Sequence, residues 1–370
     1  MKIFFAGGGT AGHVNPALAI AAYIKKKDPS CEIAFSGGSG GIEERLVARE
    51  GYKIYTFPLT GLSRSISLDG VKKNIKAMSN TLSAVSRAKE VIREQKPDIV
   101  VGTGGYACFP MVYAAQSLGV KTAVLEVNAT PGVALKRLAK RADCIMVSFE
   151  ETKAFFEGSK HVVYTGSPVR QELLKPDEQA AKPLFENKNP TVLCFWGSVG
   201  AMYMNKKMEG FIKLLALDGS FNLLQAAGKS SFQWMPSELK EMGVDIESVP
   251  NIRLTEYIYD MGNAMNGSDL VICRAGANTL AEVCACGKPS VIIPSPYVAD
   301  NHQEKNARAM ERAGASVVAI ESEVDGKKLF AMTKELLADK SKLWQMSGNA
   351  CALAKFDALD IIYKAIAETI

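Results

Sequence analysis

Histidine and metal-binding patterns are scarce in this sequence. Only three of the 370 residues are histidine, and none stands at zinc-ligand spacing from a cysteine. The eight cysteines include no Cys-x-x-Cys pair, so reduced thiols buried in the core explain them better than a zinc site does. No Asp-x-Asp motif occurs, which gives no support to a cation held by paired carboxylates. We therefore expect no bound metal and no cofactor.

Long apolar runs are also missing. No stretch reaches the roughly 18 apolar residues that could span a bilayer, and the four-residue run Ile3–Ala6 is too short for a signal-peptide core. We therefore expect the chain to stay in the cytoplasm. Hydrophobic residues make up 47% of the chain and charged residues 22%, which is typical of a globular protein with large cores. The length predicts two domains.

Positive charge is concentrated in one half of the chain. Residues 1–166 contain 22 Lys and Arg against 14 Asp and Glu, a net charge of +8, whereas the remainder carries −3. A basic half can serve nucleic acid, an anionic membrane or a phosphorylated substrate, and charge alone does not choose among them. Nucleic acid is the least favoured, because aromatic residues are not interleaved with the basic ones.

Short β-type runs alternate with helix-length segments in two series, which is typical of parallel sheets covered by helices. We predict an α/β protein with two Rossmann-like doubly wound parallel-sheet domains, 1–166 and 167–352, facing a cleft at the carboxyl ends of both sheets. A final helix at about 353–370 is expected to return to the first domain. The predicted strands are 3–6, 32–37, 52–57, 98–102, 122–127 and 144–149, then 191–198, 221–228, 252–258, 270–276, 290–296 and 316–320.

A glycine-rich loop follows the first predicted strand. Gly7-x-Gly9-x-x-Gly12 matches the dinucleotide fingerprint, but the next strand ends in Ser36-Gly37-Gly38 without the acidic residue that holds the ribose. A nicotinamide cofactor is therefore not favoured. The loop still suits close approach of a phosphate to backbone N–H groups at a helix N-terminus. The histidine within it, His13, has a pKa near neutrality and could accept a proton.

A second polar loop occupies residues 274–289. The run Thr279-Leu280-Ala281-Glu282 fits a capping box, which would explain both polar residues structurally. Alternatively, this helix N-terminus binds a pyrophosphate and Glu282 accepts hydrogen bonds from ribose hydroxyls. The spacing leaves both interpretations open. Further along, the polar residues Asp300, Asn301, His302, Gln303 and Asn306 cluster after a strand and indicate sugar recognition.

In their order and spacing these segments resemble the MurG family, the bacterial glycosyltransferases that add N-acetylglucosamine to the membrane-bound muramyl-pentapeptide precursor, lipid I. The resemblance implies two domains of the GT-B type, metal independence, UDP-N-acetylglucosamine as donor and inversion at the anomeric carbon. It is carried by GGGTAGHVNPALA (7–19), GTGGYACFP (102–110), EVNATPGVALKRLAKRAD (126–143), GSPVR (166–170), LTEYIYDM (254–261), RAGANTLAEV (274–283) and DNHQEKNA (300–307).

The resemblance also implies roles for individual residues. Glu282 would hold the ribose, Ile258 would offer backbone groups to uracil, and Gln303 would bind the sugar. The diphosphate would contact Ser198 and the helix start formed by Ala277, Asn278, Thr279, Leu280, Ala281 and Glu282. Positions associated with substrate are Thr10, Ala11, Gly12, His13, Tyr106, Asn128 and Arg170. The base that deprotonates the muramyl C4 hydroxyl is hypothesised to be His13 or Glu126.

Some positions depart from the family pattern. The family usually has His-Glu-Gln-Asn where this chain has Leu125-Glu126-Val127-Asn128, and a polar or basic residue where Val199 stands. Two alternatives to this transferase stay open, and the departures at Leu125 and Val127 motivate the second of them. One is a UDP-sugar epimerase with the same two-domain plan. The other is a UDP-sugar-binding paralogue with weak transfer activity.

A basic segment, residues 62–96, supplies a possible membrane contact, with eight Lys and Arg against three Asp and Glu. Apolar residues at helical spacing predict an amphipathic helix whose stripe faces the core: Val71, Ile75, Met78, Leu82 and Val85. We assign the contact with an anionic membrane to the preceding loop and nearby cations, with a solvated basic face as the alternative. These residues are Leu62, Ile66, Leu68, Arg64, Lys72, Lys73, Lys136, Arg137, Lys140 and Arg141. The predicted location is the cytoplasmic face of the bacterial membrane.

Overall fold

The computed structural model of the chain describes residues 1–60, 68–170, 173, 183–197, 200–298 and 301–370. The chain divides into two compact units. Unit 1 comprises Met1–Arg170 and Phe356–Ile370, and unit 2 comprises Gln171–Lys355. Within the described residues each unit contains one sheet, and the strand pairs of both sheets are parallel.

Unit 1 contains a seven-stranded sheet. Its strands are β1 (Lys2–Gly7), β2 (Glu32–Gly38), β3 (Lys53–Phe57), β4 (Ile99–Gly104), β5 (Lys121–Glu126), β6 (Cys144–Val147) and β7 (Val162–Tyr164), and its helices are α1 (Ala11–Lys27), α2 (Ile42–Arg49), α3 (Leu68–Gln95), α4 (Phe109–Ser117) and α5 (Val133–Ala139). The strand order is β3-β2-β1-β4-β5-β6-β7. Because the order reverses between β1 and β4, the carboxyl ends of these two strands flank a topological switch point.

Unit 2 repeats this plan with six strands. They are β8 (Thr191–Phe195), β9 (Asn222–Ala226), β10 (Ile252–Thr255), β11 (Leu270–Cys273), β12 (Ser290–Ile292) and β13 (Ser316–Val318), in the order β10-β9-β8-β11-β12-β13. The helices that follow are α6 (Met202–Asp218), α7 (Lys229–Phe232), α8 (Met235–Glu241), α9 (Met261–Asn266), α10 (Ala277–Ala285), α11 (His302–Arg312), α12 (Gly326–Ala338), α13 (Lys340–Leu353) and α14 (Ala358–Thr369), the last of which belongs to unit 1. The second switch point lies between β8 and β11.

The predicted α/β architecture of two Rossmann-like doubly wound parallel sheets is confirmed. β1 illustrates its basis, since Ile3, Phe4 and Phe5 are fully buried, as expected of a parallel strand covered by helices on both faces. β7 is an addition to the predicted strands. Its three residues are only half-buried at the edge of the sheet, so they form no long apolar run in the sequence.

Helix α14 packs on unit 1 although it follows unit 2 in the chain. It contacts α1 and β6, and it buries Leu359, Ile362 and Ile366. The Tyr23 hydroxyl of α1 donates a hydrogen bond to Asp360. The first sheet is therefore covered in part by the last helix.

The predicted orientation of α3 is wrong. Ile75, Met78 and Leu82 were expected in the core but are 63%, 64% and 72% exposed, and only Val85 of the described stripe side chains is buried. The buried face consists instead of small residues, with Ile92 at its end: Ala77, Ala84, Ala88 and Ile92. This alanine face packs against the neighbouring helix α4, and small side chains permit a close approach of two helices. None of the helices in the described residues is both long and apolar enough to cross a bilayer.

One glycine contact fixes the packing of α12 against α6. A Cβ built at Gly326 would overlap the Lys207 carbonyl and lie 2.6 Å from the backbone nitrogen of Phe211. We expect Gly326→Ala to lower the free energy of unfolding by about 1–3 kcal/mol, as overpacked sites do. Urea denaturation followed by circular dichroism measures this.

Gly348→Ala is the matched control for this substitution. Gly348 lies within α13, and no neighbouring atom would come within 4 Å of its Cβ. Alanine should therefore stabilise the helix there by about 0.4–1 kcal/mol. Equal effects of the two substitutions would contradict the proposed collision at Gly326.

Candidate functional site

The first glycine loop lies at the switch point of unit 1, between β1 and α1. His13, in the first turn of α1, packs its ring on the glycine backbone at the end of β4. A Cβ at Gly104 would lie 2.7 Å from His13 Cδ2, and one at Gly105 would lie 3.0 Å from His13 Nδ1. Gly104 and Gly105 both have positive φ angles, 104° and 74°. The two glycines thus make room for the imidazole in a conformation that other residues rarely adopt.

The surroundings of His13 favour a neutral ring. Burial lowers the pKa of His13, and a hydrogen bond to the Gly8 backbone opposes this shift only in part. Nδ1 lies 3.2 Å from Thr10 Oγ1. The Thr103 hydroxyl donates to the His13 carbonyl over 2.7 Å, so α1 is tied to β4 at this residue. A neutral imidazole fixed in this way can accept a proton.

Tyr106 lies on the other side of the same loop. Its ring fills the space beside Gly9, where an added Cβ would lie 2.8 Å from Tyr106 Cε1. The side chain is 43% exposed. Partial burial and the charge of Glu43 raise the pKa of the Tyr106 hydroxyl, so it remains a proton donor at neutral pH. Thr10 is exposed, Ala11 is buried and Gly12 is exposed.

The sequence predicted a loop whose backbone N–H groups would suit phosphate, and the structure changes that view at Gly9. The Gly9 N–H donates to the carboxylate of Glu43, 3.2 Å from Oε2. Glu43 was not among the predicted site residues, because it follows β2 rather than β1. The unexplained glycines around it, Gly37, Gly38 and Gly41, were the signal that could have identified it.

Glu126 ends β5 and organises the loop that follows. Its side chain is 3% exposed. Oε1 accepts hydrogen bonds of 2.9 Å from both the backbone N–H and the side-chain amide of Asn128, and Oε2 accepts one of 3.0 Å from the Gly132 N–H. Burial raises the pKa of Glu126, while these hydrogen bonds lower it. The carboxylate therefore holds Asn128 in place, and both of its oxygens have partners within the protein.

The residues that depart from the family pattern beside Glu126 are buried. Leu125 is fully buried and Val127 is 4% exposed, so both belong to the core of unit 1. Arg170, the last residue of the first segment of unit 1, is half-buried. The structure thus brings Glu126 and Asn128 together, but it leaves Leu125 and Val127 out of the loop surface.

The second glycine loop follows β8 at the switch point of unit 2. Ser198 and Val199 lie outside the described residues. Gly200 has a φ of 78°, and a Cβ there would overlap the Ala227 carbonyl and lie 3.2 Å from the Gly228 Cα.

A network of buried side-chain amides joins the segments on either side of this loop. Asn205 Oδ1 accepts hydrogen bonds from Trp196 Nε1, over 2.9 Å, and from Gln225 Nε2, over 3.0 Å. The Asn205 amide donates to the Ala227 carbonyl over 2.7 Å. These hydrogen bonds tie the first turn of α6 to the ends of β8 and β9, at the position where the glycine loop leaves β8.

Helix α10 starts earlier than a capping box would require. Its first residue is Ala277 and its N-cap is Gly276, without a side-chain cap, so Thr279 is the third helical residue and the capping-box interpretation is wrong. Gly276 allows an early entry into the helix, which leaves Thr279 within the first turn. Ala277 and Leu280 are buried, while the other four predicted contacts are half-buried: Asn278, Thr279, Ala281 and Glu282.

The remaining predicted donor contacts lie near the carboxyl ends of the same sheet. Gln303 Oε1 accepts a 2.9 Å hydrogen bond from the Ser295 N–H, which fixes the side chain against the loop after β12. Asn306 is buried and donates to the Ala275 carbonyl over 3.2 Å. Ile258 follows β10 and is half-buried. Asp300 lies outside the described residues.

A cavity of about 360 Å³ adjoins Gly200 and Gln303. Arg274 lies in its wall, 8% exposed, where it donates to the Ile293 carbonyl over 3.0 Å and pairs with the buried Glu321. Arg274 and Glu321 were not among the predicted site residues. The lining residues are Trp196, Gly200, Ala201, Met202, Tyr203, Arg274, Ser295, Tyr297, Gln303 and Glu321.

Comparison with known proteins gives a consistent result along the whole chain. The family model for the glycosyltransferase family 28 N-terminal domain matches residues 3–147, and that for the C-terminal domain matches residues 191–362. The UDP-N-acetylglucosamine--N-acetylmuramyl-(pentapeptide) pyrophosphoryl-undecaprenol N-acetylglucosamine transferase of Acetivibrio thermocellus is 43% identical over 370 residues, covering 100% of this chain and 98% of the relative. The Listeria monocytogenes protein of that name is 38% identical over 368 residues, 99% of each chain.

Solved structures show the same fold. The crystal structure of Acinetobacter baumannii MurG is 28% identical, with a TM-score of 0.69 over 99% of both chains. The UDP-GlcNAc 2-epimerase of Neisseria meningitidis bound to UDP-GlcNAc is 16% identical, with a TM-score of 0.67 over 100% of both chains. The likeness to the epimerase concerns the fold alone.

Proposed function

Because this chain belongs to glycosyltransferase family 28, we infer that it is a UDP-N-acetylglucosamine-dependent hexosyltransferase. It moves N-acetylglucosamine to the muramyl C4 hydroxyl of lipid I and gives lipid II for peptidoglycan synthesis. The observation that carries this conclusion is the likeness to named transferases at 38–43% identity over essentially the full length of both chains. The resemblance to the MurG family is thereby confirmed, and the epimerase alternative is not favoured.

In this proposal each unit binds one of the two substrates. Unit 2 binds the donor through the loop after β8, the start of α10, Ile258 and Gln303, and unit 1 binds the acceptor through Thr10, His13, Tyr106, Asn128 and Arg170. Two features support the donor assignment. The loops after β8, β11 and β12 leave adjacent strands at their carboxyl ends, and α10 directs its N-terminal N–H groups toward the same edge, where a diphosphate is stabilised.

The chemical step is a single displacement. The muramyl C4 oxygen bonds to the anomeric carbon, the bond from that carbon to the UDP oxygen breaks, and its electron pair leaves on the diphosphate. The hydroxyl proton passes to a base. His13 suits this role because its lowered pKa keeps the imidazole unprotonated at neutral pH. Backbone N–H groups and the dipole of α10 stabilise the departing charge. Metal independence stays a prediction of this proposal.

Product analysis tests the function directly. Labelled UDP-N-acetylglucosamine, a soluble short-chain lipid I analogue and the full chain should yield labelled lipid II analogue in excess EDTA. Without acceptor the donor should remain unchanged. Acceptor-free conversion of the donor would indicate an epimerase, and tight donor binding without transfer would indicate a binding paralogue.

For membrane attachment we propose a surface on α3. Ile75, Met78 and Leu82, called here the α3 stripe, are all more than 60% exposed. α4 contacts both α3 and the basic helix α5, and Lys136 of α5 lies 4.8 Å above the ring of the exposed Phe155. Exposed apolar side chains suit the interface of a leaflet, and cations elsewhere on the same unit add attraction to an anionic one. The loop first assigned to this contact, with Leu62, Ile66 and Arg64, lies outside the described residues, as do the side chains of Leu68, Lys72 and Lys73.

Replacing the three α3 stripe residues with serine should lower the partition of the protein onto anionic vesicles by about tenfold or more, because each apolar side chain that leaves water contributes about 1.5–3 kcal/mol when fully buried. Added salt should weaken binding of the wild type. Co-sedimentation with anionic and neutral vesicles measures both effects.

The control is Trp344→Ser on α13, where the side chain is 80% exposed in unit 2. It should leave vesicle binding unchanged, and both variants should retain transfer to the soluble acceptor. Unaltered binding of the triple variant would remove the α3 stripe from the proposal.

A further inference from the structure

The side chain of Glu43 occupies the centre of the glycine-rich region of unit 1. Glu43 is the second residue of α2 and is 1% exposed. Its carboxylate accepts a 2.8 Å hydrogen bond from the N–H of Gly38, the last residue of β2, and is also within 3.2–3.3 Å of the Gly9 nitrogen, after β1. One carboxylate therefore links the loop after β1 to the end of the neighbouring strand β2. Hydrogen bonds to an ionised acceptor are stronger than neutral ones.

The surrounding glycines are explained by this carboxylate. A Cβ at Gly37 would lie 2.5 Å from Glu43 Cγ, and a Cβ at Gly8 or Gly41 would overlap the Glu43 carboxylate oxygens. Gly41 has a φ of −77°, and neither Gly8 nor Gly37 adopts the left-handed conformation. They are needed for space rather than for backbone conformation.

The loop held by Glu43 is the one that carries the proposed base. Gly9 lies between the Glu43 carboxylate and the Tyr106 ring. The next residue, Thr10, places its hydroxyl 3.2 Å from His13 Nδ1. A shift of Gly9 would therefore be transmitted directly to Thr10 and to the first turn of α1.

We propose that Glu43 is a positioning residue for the transfer reaction. Its carboxylate fixes the Gly9–His13 loop and so places His13 and Tyr106 for reaction with the acceptor hydroxyl. Glu43 does not touch substrate in this arrangement, because it is buried beneath the glycines. The inference rests on the proposed function, and it deepens that function by naming a residue that acts through others.

The test compares Glu43→Gln and Glu43→Ala with the wild type in the full chain. Glutamine keeps the shape and one acceptor oxygen, whereas alanine leaves two buried N–H groups without an acceptor. We expect kcat for transfer to the soluble lipid I analogue to fall about tenfold in Glu43→Gln and about 10²-fold in Glu43→Ala, the loss that a misplacement of about 1 Å can cause. The KM for UDP-N-acetylglucosamine should change less than about twofold, since the proposed donor site is in unit 2.

Asp143→Asn is the matched control. Its carboxylate also accepts a backbone N–H, that of Thr122 over 2.9 Å, but it lies at the amino end of the same sheet. This variant should lose stability without a change in kcat at a temperature where it is folded. If kcat fell as much in Asp143→Asn as in Glu43→Gln, Glu43 would have only a general stabilising role, and the proposal would be overturned.

A second measurement does not depend on activity. In protein labelled with ¹⁵N-glycine, the amide signals of Gly9 and Gly38 should shift in Glu43→Gln, whereas that of Gly158, in an open turn of unit 1, should not. Unshifted signals, or unchanged kcat in both Glu43 variants, would overturn the proposal. If the wild type itself gives no transfer, the proposed function fails, and the amide signals still decide whether Glu43 holds the loop.

Discussion

Replacing His13 with alanine is expected to lower kcat for transfer by about 10²- to 10⁴-fold, the contribution typical of a positioned general base. UDP-N-acetylglucosamine should still bind, because the proposed donor contacts belong to unit 2. The loss of kcat is expected because the ring packs between Gly104, Gly105 and Gly8, and this packing holds a neutral imidazole in one place. Single-turnover kinetics and a donor-binding titration separate the two effects.

The pH profile provides an independent check on His13. Burial lowers its pKa below the usual value of about 6.5, so the ring loses its proton before the pH reaches neutrality. The activity that depends on this base should therefore be constant from neutral to mildly alkaline pH and should fall only as the pH drops through the lowered pKa. A rate that rises steeply between pH 7 and 9 would assign the base to another group.

Glu126→Gln is the comparison for His13→Ala. Glu126 already accepts hydrogen bonds from Asn128 on one oxygen and from Gly132 on the other. If it positions Asn128 and is not the base, glutamine should keep the bonds to Oε1 and cost less than alanine does at position 13. A greater loss in Glu126→Gln than in His13→Ala would reverse the assignment.

Gly200→Ala is expected to disrupt the donor site of unit 2. Alanine at a φ of 78° costs roughly 1–2 kcal/mol, and its Cβ would also overlap the Ala227 carbonyl. Because Asn205 ties that same carbonyl to α6, the strand cannot yield, and the loop must move. We expect the KM for UDP-N-acetylglucosamine to rise at least about tenfold, and the free energy of unfolding to fall by about 2–4 kcal/mol.

Gly197→Ala separates strain from collision in the same loop. Gly197 also has a positive φ, 88°, but no neighbouring atom would come within 4 Å of its Cβ. It should therefore show only the conformational cost of about 1–2 kcal/mol. Equal donor affinities in Gly197→Ala and Gly200→Ala would mean that the contact with Ala227 does not position the loop. Isothermal titration with UDP-N-acetylglucosamine and urea denaturation provide the two measurements.

The parts of the fold that the sequence predicts are those that depend on burial along a strand. β1 carries the apolar run Ile3–Ala6 and β4 the run Ile99–Val101 because helices cover both faces, and this pattern is visible without any tertiary information. The orientation of α3 was not predictable in this way. Its alanine face and its Ile-Met-Leu face both recur at helical spacing, and only the close approach of α4 decides which one is buried.

The candidate site likewise contains some residues that the local sequence predicts and others that depend on tertiary packing. His13 and Thr10 stand within one motif, so their proximity follows from local sequence. Glu43 is 34 residues from Gly9, and its role depends on the pairing of β1 with β2, which places the two loops side by side. The sequence also does not determine that α10 starts at Ala277, because a capping box and a glycine N-cap both fit the residues before Glu282.

The return of α14 to unit 1 has a consequence for the order in which the protein is made. The segment Phe356–Ile370 leaves the ribosome only after all of unit 2, yet it covers α1 and β6, and Tyr23 finds its partner Asp360 there. The half of the protein that is synthesised first is therefore completed last. Until that point nascent unit 1 exposes the apolar surface that Leu359, Ile362 and Ile366 will cover, which makes it a target for chaperones during translation.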